Sequence, residues 1–386
     1  MPDPEPVLDP SELSGYLVSR GWRREGSWRG AGVWELESSG RLLIPDHREY
    51  QDDGELIAEA VRKLAGYEQR PERELLLDIT EPMVDSQYFR THPVAPSGTI
   101  PLPSGVKALN GVHVLISTAA RTVEEGPRLL FEGRRSSPVE NFLQRVMLGA
   151  ARPGSYVLTA RVPVTAPDQP QLSLWEDGKA NGAAGTRPTG ISGRTVLSRL
   201  YRAVRAAQAA AEQVIDRRTT ERQERLDVFD DSVEQGISAN LCRALGDLGG
   251  SSKDRPFEIG FAWARGMPAQ EPGEAIAFTG QMAGILARAG DELERLAKSG
   301  HARIIGEVET LNMRAGEEPR IKIVGEFLSD AREPYRRALW VIVSRSQYDQ
   351  AIEAQRAGWW IDAEGRMVTF HRRRELRPER FEIRRQ

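Results

Sequence analysis

Ile304-Ile-Gly-Glu-Val-Glu-Thr-Leu311, Ile321-Lys-Ile-Val-Gly-Glu-Phe327 and Ala338-Leu-Trp-Val-Ile-Val343 are three short runs rich in β-branched residues. Each reads as a strand. A helix is expected next, over Ser346 to Ala357, followed by two further strands near Trp359-Trp-Ile361 and Met367-Val-Thr-Phe370. The sequence Asp362-Ala-Glu-Gly365 between those two is good turn chemistry and is expected to join them.

Three strands, a helix and two strands is the order of an OB-type small β-barrel, an architecture that often binds oligonucleotides. From Arg372 to Gln386 seven arginines stand against three glutamates, the densest positive patch in the chain. The segment reads as a basic tail. Beside a barrel, Arg372, Arg373 and Arg374 could hold a phosphate backbone while Trp359, Trp360 and Phe370 stack on bases. The plainer reading is a tail that solubilises the terminus or pairs with an acidic partner.

The other end of the chain is equally legible. Asp9-Pro10 introduces a short helix over Ser11 to Arg20, closed by Gly21. Strands follow at Gly32-Val-Trp-Glu-Leu36 and Arg41-Leu-Leu-Ile-Pro45, separated by Ser38-Ser39-Gly40, with a third strand at Trp22 to Ser27, and then a helix from Glu55 to Tyr67. Between the two ends the reading is coarser. Leu75-Leu-Leu-Asp-Ile79 reads as a buried strand, Val106 to Ala120 and Val139 to Leu148 as helices, and Gly154 to Val164 as a strand. Residues 177–190 form a glycine-containing loop that matches no phosphate-binding fingerprint. Leu197, Leu200, Val204, Ala207, Ala211 and Val214 give a long amphipathic helix over 192–225, with Arg199 and Arg202 on its basic side. Those arginines could track phosphates or simply be solvated. Helices at Val228–Leu248 and Gln281–Ala297 flank a strand at Phe257–Trp263. The expected class is α+β in three segments: an α-β-β-β-α module over 8–72, a mixed α+β domain over 73–298, and an OB-like barrel over 299–386.

Gly21-Trp22, Gly26-Ser27-Trp28, Leu43-Ile-Pro-Asp-His47 and the helix entered near Gly54 with Ile57 and Ala58 carry a resemblance. In these pieces, under a fifth of the chain, the N-terminal module resembles the HicA-like messenger-RNA interferases. The resemblance implies a double-stranded-RNA-binding type of fold. In that family the residue directly after the Gly-Ser pair is a catalytic histidine; here it is Trp28, whose indole exchanges no proton near neutral pH. What the resemblance leaves is recognition, with Trp22, Trp28 and Trp34 beside Arg23, Arg24, Arg29 and His47 as a surface for bases and phosphates. The tryptophans could equally fill a small core. The rest of the chain resembles, in style and without a matching motif, uncharacterised actinobacterial proteins of multi-gene systems such as phage defence.

Composition narrows the classes. With 53 basic and 56 acidic residues in 386, the molecule as a whole is no attractor for nucleic acid, so such binding must be local. No apolar run approaches the roughly 18 residues that span a bilayer. The acidic, proline-rich start Met1-Pro-Asp-Pro-Glu-Pro lacks a secretory pattern, so a cytoplasmic protein without membrane attachment is expected. Cys242, the single cysteine, reads as a small buried hydrophobe. The five histidines show no metal-ligand spacing, and no cofactor or metal is expected. The leading expectation is a non-catalytic nucleic-acid-binding accessory protein that works with other protein subunits. One alternative is a protein-interaction scaffold. Another is a metal-dependent nuclease using acids such as Asp78, Glu81 and Asp85.

Overall fold

The computed structural model describes residues 8–385 apart from 37–39, 48, 51, 70, 97, 153–155, 165–189, 221–224, 268, 315, 330–331 and 371. Residues 38 and 39 of the expected hairpin turn and nearly all of the 177–190 loop therefore lie outside the described residues. The chain divides into two compact units. One takes in the residues up to Ser86 with Ala262–Gln270, and the other Gln87–Phe261 with Glu271–Gln386. In this division the barrel belongs to the same unit as the central segment.

The first unit runs α1 (Pro10–Ser19), β1 (Arg23–Trp28), β2 (Ala31–Leu36), β3 (Gly40–Pro45), α2 (Asp53–Tyr67) and α3 (Glu72–Thr80). Asp9 caps α1 and Glu12 returns the bond, a reciprocal capping box. The β1–β2 turn is only Arg29-Gly30, with φ of 49° and 80° between the paired residues Trp28 and Ala31. Positive φ at both central residues is what a tight right-twisted hairpin requires. The three-stranded sheet β1-β2-β3 and the helices bury Leu13, Tyr16, Leu17, Trp22, Trp34, Leu42, Ile44 and Leu64. The expected α-β-β-β-α order is present. The expected strand at Leu75–Ile79 is instead part of α3. Leu75 and Ile79, four residues apart, are both fully buried, so the apolar run fills one helical stripe. Periodicity alone cannot distinguish the two in so short a run.

The second unit begins with a five-stranded sheet of order β5-β6-β4-β7-β8. Its strands are β4 (Val84–Thr91), β5 (Met147–Arg152), β6 (Tyr156–Pro163), β7 (Phe257–Ala262) and β8 (Ile276–Phe278). The helices are α4 (Leu102–Glu125), α5 (Ser137–Arg145), α6 (Gly193–Thr220), α7 (Asp227–Asp231), α8 (Ala239–Leu248) and α9 (Gly280–Lys298). Two expectations change. The helix expected over Val139–Leu148 stops at Arg145, because Val146 is extended and Met147 opens β5. The one expected over Val228–Leu248 is two helices: Gly236 turns left-handed at φ 105°, and Ser238 caps α8 by accepting the Leu241 N–H at 3.2 Å. Cys242 lies fully buried on α8, and burial pushes its thiol pKa well up, so it is a packed hydrophobe.

The barrel comprises β9 (His301–Asn312), β10 (Arg320–Ser329), β11 (Arg332–Ile342), α10 (Arg345–Ala357), β12 (Trp360–Phe370) and β13 (Arg373–Arg384). It closes in the order β10-β11-β13-β12-β9, antiparallel except for the parallel β11–β13 seam at Val341 and Leu376. This is the OB-type arrangement. Ile304, Ile321, Ile323, Phe327, Leu339, Val341, Ile361 and Leu376 form its core, each at most 1% exposed. Two expectations are corrected. The two short strands around Asp362–Gly365 are one continuous strand, β12, and the fifth strand is the supposed tail, β13. Gly365 is there for closeness rather than for a turn, since a Cβ would collide with the Arg377 carbonyl oxygen. Among the described residues no helix is long and apolar enough to cross a membrane.

Candidate nucleic-acid interface

Most of the arginines expected to meet phosphates are already paired. Arg372 reaches Glu234 at 3.1 Å and Arg373 reaches Asp231 at 3.0 Å. Arg374 donates to the Ser299 carbonyl, and burial lowers its pKa. Further along β13, Arg377 pairs with Glu318 at 2.8 Å, Arg380 with Glu364 at 2.6 Å, and Arg384 with Asp362. On α6, Arg202 binds Glu271 through Nε and Nη2 at 3.1 and 2.7 Å, and Arg199 donates to the Glu234 carbonyl at 2.9 Å. Burial and the neighbouring Arg202 and Arg372 lower the Arg199 pKa despite Glu234. The structure thus gathers Arg199 and Arg372 around Glu234, where they tie the barrel to the helices instead of offering free charge.

In the first unit, Trp22 is buried against Tyr67 with ring centroids 5.8 Å apart, and Trp34 is buried beside it in the same core. Both are core residues rather than stacking surfaces, and burying such a ring stabilises by about 1.5–3 kcal/mol. Arg24 is held by Asp46 at 2.8 Å. Arg23 and His47 are exposed. Trp28 is 56% exposed at the hairpin tip, with the Arg29 guanidinium 4.7 Å above its ring. Asp78 and Glu81 sit on and just after α3 rather than at a strand end. Asp85 is fully buried and accepts the Ala264 N–H at 2.6 Å. Among the described residues no group of three or more histidine, cysteine, aspartate or glutamate side chains is placed to hold a metal ion.

What the barrel does offer is a groove of about 280 Å³ across β9 to β12. Ile305, Val324 and the half-buried Trp360 supply apolar surface. The Trp360 Nε1 donates to Glu307 at 3.2 Å, which fixes the indole plane. Glu326 and Arg336 face each other in the β10–β11 register and are both exposed, and neither forms an ion pair among the described residues. Tyr335, also in the groove, is committed: it stands edge-on to Phe327 at 5.5 Å and lies 5.0 Å from the Arg295 guanidinium. Gly306 and Gly325 are direct neighbours in the β9–β10 register. A Cβ on either would strike backbone of the adjacent strand, so only glycine lets β9 and β10 approach this closely. Trp360 was a sequence expectation; Arg336 and the glycine pair were not. Trp359, its neighbour, is covered by Arg385 at 4.9 Å.

Beside the barrel lies an ionic cluster that sequence reading missed. Arg337, 2% exposed, reaches Asp230 at 2.8 Å and Glu292 at 3.3 Å. Lys322 reaches Asp227 at 2.9 Å and Asp231 at 3.0 Å, and Arg225 bridges Asp227 to Glu309. Burial pushes the Asp230 carboxyl up to about 7 even though Arg337 opposes it. Burial also disfavours ionised Asp227, but Lys322 and Arg225 outweigh it and hold that carboxyl down to about 2. The only signal in the sequence was the acid-rich Asp227-Val-Phe-Asp-Asp231 with Arg225 beside it, while Lys322 and Arg337 lie about a hundred residues away. The cluster is saturated with internal partners and acts as a clamp between α7 and the barrel. No protein-family model, no curated protein and no solved structure matches the chain.

Proposed function

We propose that the barrel binds single-stranded nucleic acid in the β9–β12 groove, and that the chain is a non-catalytic accessory protein. The observation that carries the reading is the pairing, in one groove, of a half-exposed indole held flat by Glu307 with the Arg336 guanidinium, which forms no ion pair among the described residues. An indole face stacks on any base, and a free guanidinium can meet one phosphate. Support also comes from topology, because the second and third strands of OB-type barrels are where oligonucleotides bind, and here those strands, β10 and β11, supply Glu326 and Arg336. With the β13 arginines engaged by carboxylates or, for Arg374, by the Ser299 carbonyl, binding should rest on stacking more than on charge. The α-β-β-β-α order of the first unit fits the HicA-like resemblance, and exposed Trp28 at the histidine position fits recognition without cleavage. Membership of a bacterial multi-protein defence system belongs to the same proposal.

A second reading, a peptide-binding scaffold, is favoured by Glu307 and Glu326, which would repel phosphates and attract a basic segment. Fluorescence anisotropy with labelled single-stranded DNA and RNA of about eight nucleotides separates the two. Micromolar binding whose affinity falls with a log–log salt slope near −0.7 per phosphate contacted, for one or two contacts, supports the first. Absence of binding to either strand would leave the scaffold reading.

A further inference from the structure

A second cavity, of about 370 Å³, lies in the helical part of the second unit between α4 and the loop that precedes α5. Its size is that of a small-molecule site. The groups that face it are Arg121, Arg134, Arg135, Ser117 and Thr118, with Glu140 at its margin. Arg121 is fixed by both oxygens of Glu125 at 2.7 and 3.2 Å, by the Glu132 carbonyl at 2.9 Å, and by the Phe131 ring 5.1 Å away. Arg135 donates its Nε to the Ser117 hydroxyl at 2.8 Å, and Glu140 stands 3.5 Å from one Nη. Its other Nη therefore remains to be used. Arg134, exposed, makes no ion pair or hydrogen bond among the described residues.

Two hydroxyls on nearly buried residues sharpen the picture. Ser117 and Thr118 are each 4% exposed. Ser117 accepts from Arg135, which leaves its own proton free to donate. Thr118 uses its backbone carbonyl to hold Thr122, and its hydroxyl, with no hydrogen-bond partner among the described residues, opens onto the cavity. A hydroxyl that opens onto the cavity is available to donate to a ligand oxygen. The loop is set in place before any ligand arrives. The Asn240 side chain accepts the Phe131 N–H at 2.8 Å and donates to the Phe131 carbonyl at 3.1 Å, as a neighbouring strand would. Gly133 turns the chain with φ 73° ahead of the two arginines.

We propose that this cavity binds a phosphate group. Two guanidinium forks with N–H groups to spare and two hydroxyl donors exceed what the two oxygens of a carboxylate can accept, and they suit the three terminal oxygens of a phosphate monoester. The site is separate from the barrel groove, so its fate does not depend on the reading given for that groove. The phosphate could belong to a free small molecule or to the 5′ end of a nucleic-acid strand.

Calorimetric titration of the full chain with inorganic phosphate, thymidine 5′-monophosphate and thymidine tests it. Saturable binding of the two phosphates with millimolar or tighter Kd, and none by thymidine, is expected. Arg134→Ala, a change on an exposed side chain, should weaken both phosphates about tenfold, and Thr118→Val, which keeps the shape, should weaken them several-fold. Oligothymidine with and without a 5′-phosphate assigns the source. A tenfold preference for the phosphorylated strand over the same strand without its 5′-phosphate points to a strand end, and equal affinity of the two strands points to a small ligand. Should neither phosphate bind, or should both variants bind as the parent does, the proposal is wrong. Trp360→Ala, which alters only the barrel groove, should leave phosphate affinity unchanged.

Discussion

Replacing Arg337 with methionine tests the α7–barrel clamp most severely. The guanidinium is 2% exposed and faces Asp230 and Glu292, themselves 9% and 8% exposed, with the Phe327 ring 5.5 Å away. Methionine matches its apolar stem but takes the guanidinium away from two buried carboxyls. Removing one partner of a buried ion pair costs about 3–5 kcal/mol. The cost should depend on pH, and its sign follows from Asp230. Its folded-state carboxyl already titrates near 7, well above the ordinary 3.8. Such a group binds a proton more readily when folded, so its contribution to stability falls as pH rises through that window. Without Arg337 the carboxyl moves higher still. The penalty should therefore be largest above pH 8, shrink by up to about 1.4 kcal/mol per pH unit as pH falls to about 7, and change little below that. Urea denaturation at several pH values reads this as a midpoint shift of about 1 M or more at pH 8. Adding Asp230→Asn and Glu292→Gln to Arg337→Met should recover most of the loss, because the orphaned charges are gone. A penalty below about 1 kcal/mol at pH 8, or a triple variant no better than the single one, would refute the reasoning.

Gly306→Ala should cost more than about 3 kcal/mol or abolish soluble expression, since its methyl meets β10 backbone that has no room to retreat; wild-type thermal stability would contradict the close approach of β9 and β10. Asp227, held near 2 by Lys322 and Arg225, contributes stability that is present above about pH 4 and lost as pH falls toward 2. Asp227→Asn should therefore be less stable than wild type at neutral pH and lose less stability between pH 4 and 2, as followed by circular dichroism. Arg372→Ala removes an ion pair whose members are about half exposed, so stability should change by less than about 1 kcal/mol and oligonucleotide affinity by less than twofold. A large drop in affinity would restore the C-terminal arginines as a phosphate track.

Elements whose partners are close in sequence were legible. The helix expected at Gln281–Ala297 is α9, and strands β9 to β11 stand where their β-branched runs placed them. β13 was not legible as a strand. Its apolar residues are sparse, and its arginines look like a tail until Glu318, Asp362 and Glu364 are brought alongside by barrel closure. The same reason hid the groove. Trp360 could be singled out as an aromatic, but Arg336 is one arginine among many until folding leaves it without an ion pair among the described residues. Asp362-Ala-Glu-Gly365 misled in the opposite direction, because glycine serves a turn and a crowded strand crossing equally well.

The central claim, a barrel groove that reads single strands by stacking, is tested most directly by comparing Trp360→Ala and Arg336→Ala with the parent chain in oligonucleotide titrations. Trp360→Ala should weaken binding by about 1–3 kcal/mol at any salt. Arg336→Ala should weaken it less and reduce the salt slope by about one contact. Parent-like affinity in the Trp360 variant, or a parent chain that binds no single strand, would contradict the account.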